Sequence, residues 1–178
     1  MVAAGGVQGG RQRVWCEWGM DVGMEEQQAA DRYRLGEWTV AGETALLASG
    51  ATAEQALQAG LDGVLAAMRG AESAAVADES ATVAVPIRGS GRALGALFAD
   101  LVADLLTQTE SAPEGIARVR LDGLIRTDEG LTAWGYALRA GRPGPAAGVA
   151  LAAAPTITRE DGRYVLRCAL RRAWEPRP

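Results

Sequence analysis

Residues 52–69 read TAEQALQAGLDGVLAAMR and residues 91–108 read GRALGALFADLVADLLTQ. Both stretches predict amphipathic helices, because their apolar residues recur every three or four positions. The first stripe is Leu57, Leu61, Val64, Leu65 and Met68. Thr52-Ala53-Glu54-Gln55 opens it as a capping box, in which a hydroxyl and an amide satisfy free backbone groups. Gly70 is placed to close it. The second stripe is Leu94, Leu97, Phe98, Leu101, Val102 and Leu105, with Ser90 or Gly91 expected as its cap. Asp100 and Asp104 lie one turn apart on its polar side. Such a pair can hold a metal, although a solvated helix face is its commoner use.

Around the helices the pattern changes to period two, the strand period. Strands are expected at 44–49, 82–88, 115–124, 131–140 and 149–159, and again after Asp161-Gly162, a strong hairpin turn. Pro86 cannot donate to a ladder and belongs on an edge. The alternation of Ile116, Val119 and Leu121 is imperfect; Trp134, Tyr136 and Leu138 share one face. Pro155 should bend the 149–159 strand, and RPGPAAG at 142–148 reads as a loop. After the turn, Tyr164, Leu166, Cys168 and Leu170 point inward, with Arg163, Arg167 and Arg171 outward. Helices gathered early and strands joined by short turns imply an α+β fold. The expected form is two-layer, a mostly antiparallel sheet with both helices on one face. One domain is expected over 33–173, after a poorly ordered leader at 1–32 and before a tail at 174–178.

Composition narrows the chemistry. The chain has 178 residues and no histidine, and its 18 basic residues are all arginine. That removes the usual general base near neutral pH and excludes Ser-His-Asp and Cys-His mechanisms. Cys16 and Cys168 form neither a disulfide framework nor a metal spacing. No apolar run approaches the roughly 20 residues that cross a bilayer, and no signal peptide is evident, so a cytoplasmic protein without membrane association is expected. Residues 1–115 hold 7 arginines and 16 acids, net −9, whereas residues 116–178 hold 11 and 6, net +5. The basic half, Arg167 and Arg171 above all, could contact phosphate or an acidic partner; solvated strand faces are the plainer use. GSGRALG at 89–95 offers glycines ahead of a helix, where amides could receive a phosphate, but no parallel βαβ unit is evident. No aromatic–basic cluster matches an RNA-recognition sheet, and direct nucleic-acid binding is left open. An enzyme using carboxylates alone would need a close acid pair, and none is singled out.

Several phrases share an order. Glu43-Thr44-Ala45-Leu46-Leu47-Ala48-Ser49-Gly50-Ala51-Thr52 leads into the first helix. TVAVPIRG and RALGALFADLVADLL follow, then Thr109-Glu110, Trp134-Gly135-Tyr136-Ala137-Leu138 and Asp161-Gly162-Arg163-Tyr164. In this order residues 33–171 resemble archease. The resemblance implies a non-enzymatic accessory protein, or chaperone, of a tRNA-splicing RNA ligase, one that promotes the ligase's guanylylation and turnover and binds calcium or magnesium through acids. Position by position, the family's opening aspartate falls near Glu43 and its aspartate before Thr-Glu on Gln108, beside Glu110. Its last-strand aspartate falls near Arg171, which inverts the charge, and its histidine has no counterpart. Glu43, Gln108 and Glu110 are thus the candidate metal ligands. The alternative is an archease-fold binding module with no metal dependence.

Overall fold

The computed structural model describes residues 32–69, 83–111, 115–139 and 148–174. Residues 1–31 of the expected leader with Cys16, Gly70, the 142–147 loop and residues 175–178 of the expected tail lie outside them. The elements are β1 (Tyr33–Leu35), β2 (Glu43–Gly50), α1 (Ala53–Arg69), β3 (Ala84–Gly91), α2 (Leu94–Glu110), β4 (Ile116–Thr127), β5 (Gly130–Arg139), β6 (Gly148–Leu151), β7 (Thr156–Glu160) and β8 (Arg163–Trp174). Every strand pairing is antiparallel. The α+β class holds, with its two amphipathic helices.

The capping box forms as expected. Gln55 N donates to Thr52 Oγ1 at 3.2 Å, and Ala51 N donates to Gln55 Oε1 at 3.0 Å. The second helix differs. Its N-cap is Ala93, with no side-chain cap, because Ser90 and Gly91 belong to β3. Gly91 lets α2 lie against the strand: a Cβ there would collide with the Leu97 backbone nitrogen. The Ser90 amide donates to Asp100 Oδ2 at 2.8 Å. The GSG segment is therefore the end of a strand that receives a helix, rather than the entry to the helix itself.

The single expected sheet is in fact two. One has the order β1-β2-β8-β6, with β7 also on β8; the other is β3-β5-β4. The edges of the smaller sheet explain the division. On β3, the amides of Arg88 and Ser90 point away from β5 and donate to Asp104 and Asp100 of α2, each at 2.8 Å. Pro86, two residues earlier, occupies an outward position where its missing donor costs nothing. On β4, the Gln58 side chain acts as a ladder rung. Its amide donates to Val119 O at 2.9 Å, and its oxygen accepts from Leu121 N at 2.8 Å. Arg69 Nη2 also donates to the Ile116 and Ala117 carbonyls. Asp100 and Asp104 thus seal a strand edge, which is neither of the uses expected for them. Edges closed this way resist pairing with any further strand.

Both helices touch both sheets. Leu57, Leu61, Val64, Leu97, Phe98, Leu101 and Leu105 are fully buried against Leu46, Ile87, Leu166 and Leu170. The Asp161-Gly162 turn has positive φ at both residues, 47° and 80°, the type I′ geometry that twists with its strands. The 149–159 strand is interrupted, with Pro155 between β6 and β7. Register shifts fall between Ile116 and Arg118 and between Leu121 and Gly123. Each adds one residue, which is why Ile116, Val119, Leu121 and Leu124 face inward at spacings of three, two and three.

Candidate functional site

Two outer sheet faces are open to solvent; of the candidate residues, Glu43, Arg167 and Arg171 lie on the larger sheet, and Gln108 and Glu110 end α2. On the larger sheet, Glu43 is the register partner of Arg171, and Leu47 of Arg167. Arg172 N donates to Gly42 O at 2.9 Å, one position earlier in the ladder. Glu43 and Arg171 therefore form a non-hydrogen-bonded pair, the position where cross-strand side chains approach most closely. A tight turn fixes Glu43 from the other side: Glu43 N donates to Thr39 Oγ1 at 3.1 Å, and Thr39 N to Glu43 O at 2.7 Å. Beside this turn the Arg172 guanidinium stacks over Trp38, 4.8 Å from the ring centroid.

Arg167 is already committed. It grips Glu160 with both nitrogens, at 2.5 and 2.8 Å, and Thr158 Oγ1 donates to the same carboxylate. These hydrogen bonds hold the Glu160 carboxyl at a pKa of about 2. A depressed folded-state pKa contributes stability that is present above the ordinary carboxylate value and lost as the pH falls toward 2. The pair is exposed, so the effect is small. Arg167→Gln should lose slightly less stability than the parent as the pH falls from the ordinary carboxylate range toward 2, because the depressed Glu160 carboxyl no longer contributes. Thermal midpoints of both proteins from pH 7 to pH 2 check this; parallel curves would refute it.

Gln108 and Glu110 stand on the last turn of α2, where the Gln108 carbonyl accepts from the Ser111 hydroxyl at 2.9 Å. A calcium or magnesium ion wants several hard anionic oxygens converging. Across the ladder from Glu43 the register places Arg171, and no group of three or more acidic or thiol side chains is gathered among the described residues. Of the three candidate ligands, Glu43 opens β2, whereas Gln108 and Glu110 end α2. Cys168 lies on the inward face as expected, and burial pushes its thiol up to about 11, which leaves little thiolate for chemistry.

The smaller sheet carries a feature that the sequence reading passed over. On central strand β5, Leu131, Ala133 and Ala137 face the core, while Trp134 and Tyr136 are 37% and 44% exposed. Register sets Arg88 beside Trp134 on β3, and Arg120 beside Tyr136 on β4, with Arg118 one pair further along. Asp122 pairs with Arg120 at 3.3 Å. Ile125, 47% exposed, completes the face. A Cβ on Gly123 would fall among Cζ2, Cη2 and Cε2 of Trp134. The indole thus lies flat on the β4 backbone. Alternation had grouped Trp134, Tyr136 and Leu138; a signal that they face water was the small size of the intervening Ala133, Gly135 and Ala137.

No helix among the described residues is long and apolar enough to cross a membrane. No protein-family model matches the chain, and no curated protein matches it. Among solved structures, the chain is similar to the solution structure of Methanobacterium thermoautotrophicum protein 1598. The two are 17% identical with a TM-score of 0.56, over 78% of this chain and 97% of that one. At that identity the likeness establishes a shared fold.

Proposed function

We propose that the chain is an archease-type accessory protein that acts on an RNA ligase and catalyses no reaction of its own. The observation that carries this reading is where the archease-like phrases fall. Glu43–Thr52 forms β2 and the cap of α1, Thr109-Glu110 ends α2, Trp134–Leu138 lies in β5, and Asp161–Tyr164 makes the β7–β8 turn. The phrases thus lie on separate elements of one fold. The absence of histidine from the chain and the raised thiol of Cys168 also favour an accessory role over nucleophilic catalysis. The test is the rate of multiple turnover by an RNA ligase from the same cell, with and without saturating protein. Stimulation is expected; an unchanged rate would overturn the reading.

A second reading is favoured by one observation, the pairing of Glu43 with Arg171. The register sets a basic residue directly across the ladder from the acid, where its charge opposes that of an incoming cation. The module would then work without metal. Calorimetry with calcium, magnesium and manganese separates the two: heat of binding that Glu43→Gln abolishes would count against the metal-free module.

A further inference from the structure

We propose that the outer face of β3-β5-β4 binds single-stranded nucleic acid, with bases stacked on Trp134 and Tyr136 and phosphates held by the flanking arginines. The inference stands apart from the ligase reading, since it concerns a direct contact of this chain. Three observations converge on it.

The first is ring geometry. Trp134 and Tyr136 are two residues apart on the central strand, so their side chains rise from one face about 7 Å apart. The indole is held flat over Gly123, with its other face turned outward. A flat, supported ring is a stacking platform, and stacking tolerates any base because every base has a π-face.

The second is charge. The strands of this face carry Arg88, Arg118 and Arg120 against a single acid, Asp122. The chain as a whole is acidic, at −4, so this local excess is not a reflection of average composition. Guanidinium groups beside exposed aromatic rings suit a phosphate backbone carrying unstacked bases. A protein partner could also use Trp, Tyr and Arg, but it would meet a face with only one acid to pair with its own basic groups.

The third is closure of the edges. Asp100 and Asp104 occupy the amides of β3, and Gln58 and Arg69 occupy β4. A partner cannot add a strand here, which leaves the face itself as the contact. A duplex is a poor fit, because its bases are already stacked and paired.

The experiment is fluorescence anisotropy of a labelled oligouridylate of about 12 nucleotides, within the length that one sheet module covers, against an RNA duplex of equal length. The full chain is used at low salt. The single strand should bind more tightly than the duplex. Trp134→Ala and Tyr136→Ala should each weaken binding about tenfold. Arg118→Gln should reduce the log–log salt slope by about 0.7, the loss of one phosphate contact. Leu47→Ala, on the other open sheet, should bind as the parent does. Circular dichroism checks each fold, and Arg118→Gln, a surface change, decides the matter if Trp134→Ala does not fold. Absence of binding, equal binding of duplex, or binding indifferent to all three variants would overturn the proposal. So would oligonucleotide binding that survives while association with the ligase is lost, which would assign the face to protein docking. Absence of ligase stimulation by the parent protein, with its oligonucleotide binding intact, would refute only the accessory reading.

Discussion

Phe98→Ala should lower the free energy of unfolding by about 3–5 kcal/mol, a large part of the roughly 5–15 kcal/mol that holds a domain of this size folded. Phe98 is the only phenylalanine in the chain and is fully buried. Its ring crosses the place where α1, α2 and β8 meet. A Cβ on Gly60 of α1 would sit 2.7 Å from Phe98 Cε2 and 2.9 Å from Leu166 Cδ1. Removing the ring takes away its apolar burial and leaves a cavity that these backbones cannot close. Denaturant titration should show a lower midpoint with an unchanged slope. Gly60→Ala supplies an internal check. In the parent it should destabilise by overpacking, whereas beside Phe98→Ala its methyl group enters the vacated space, so the two changes should be strongly non-additive. Additive effects, or a loss below about 1 kcal/mol for Phe98→Ala, would mean that the ring is not the junction.

What made the first helix legible was redundancy: leucine stripe and capping box agreed over 52–69. The limits of the sequence reading are equally physical. Gly89-Ser90-Gly91 looked like a helix start because glycine usually marks a turn, yet here it serves a close helix–strand contact. Asp100 and Asp104 could not be read as edge seals without knowing that β3 lies beside α2. β1 is three residues long, too short to show a period. Period two says which side chains share a face, and leaves open which face meets water; for Trp134 and Tyr136 that depends on how closely the helices approach β5. The same limit applies to the candidate site. Glu43 and Arg171 are 128 positions apart in sequence, and only the β2–β8 register makes them neighbours. Gln108 and Glu110 follow a helix whose direction is set by packing on β3.

Gly135→Ala should destabilise by about 3 kcal/mol, more than a single added methyl group usually does. Gly135 lies at the centre of β5, paired with Ile87 on one side and Leu121 on the other. The irregularity between Leu121 and Gly123 carries the β4 backbone over it. A Cβ on Gly135 would fall inside the Arg120 carbonyl oxygen and close to Leu121 Cα at 2.8 Å. These are backbone atoms, so the strand itself must move. Gly123→Ala is the matched comparison. There the obstruction is the Trp134 ring, which can swing aside, and the cost should be nearer 1 kcal/mol. The two variants also part functionally. Gly123→Ala lifts the indole while leaving the sheet in register, so oligonucleotide affinity should fall more than stability does. Gly135→Ala acts through the register of β4, which sets Arg120 beside Tyr136 and Gly123 beneath Trp134. Its binding loss should therefore track its stability loss. Unfolding free energies of the two proteins, measured alongside their oligonucleotide affinities, check both halves. If Gly135→Ala proves no more damaging than Gly123→Ala, the β4 backbone is not held over β5 as tightly as this packing requires.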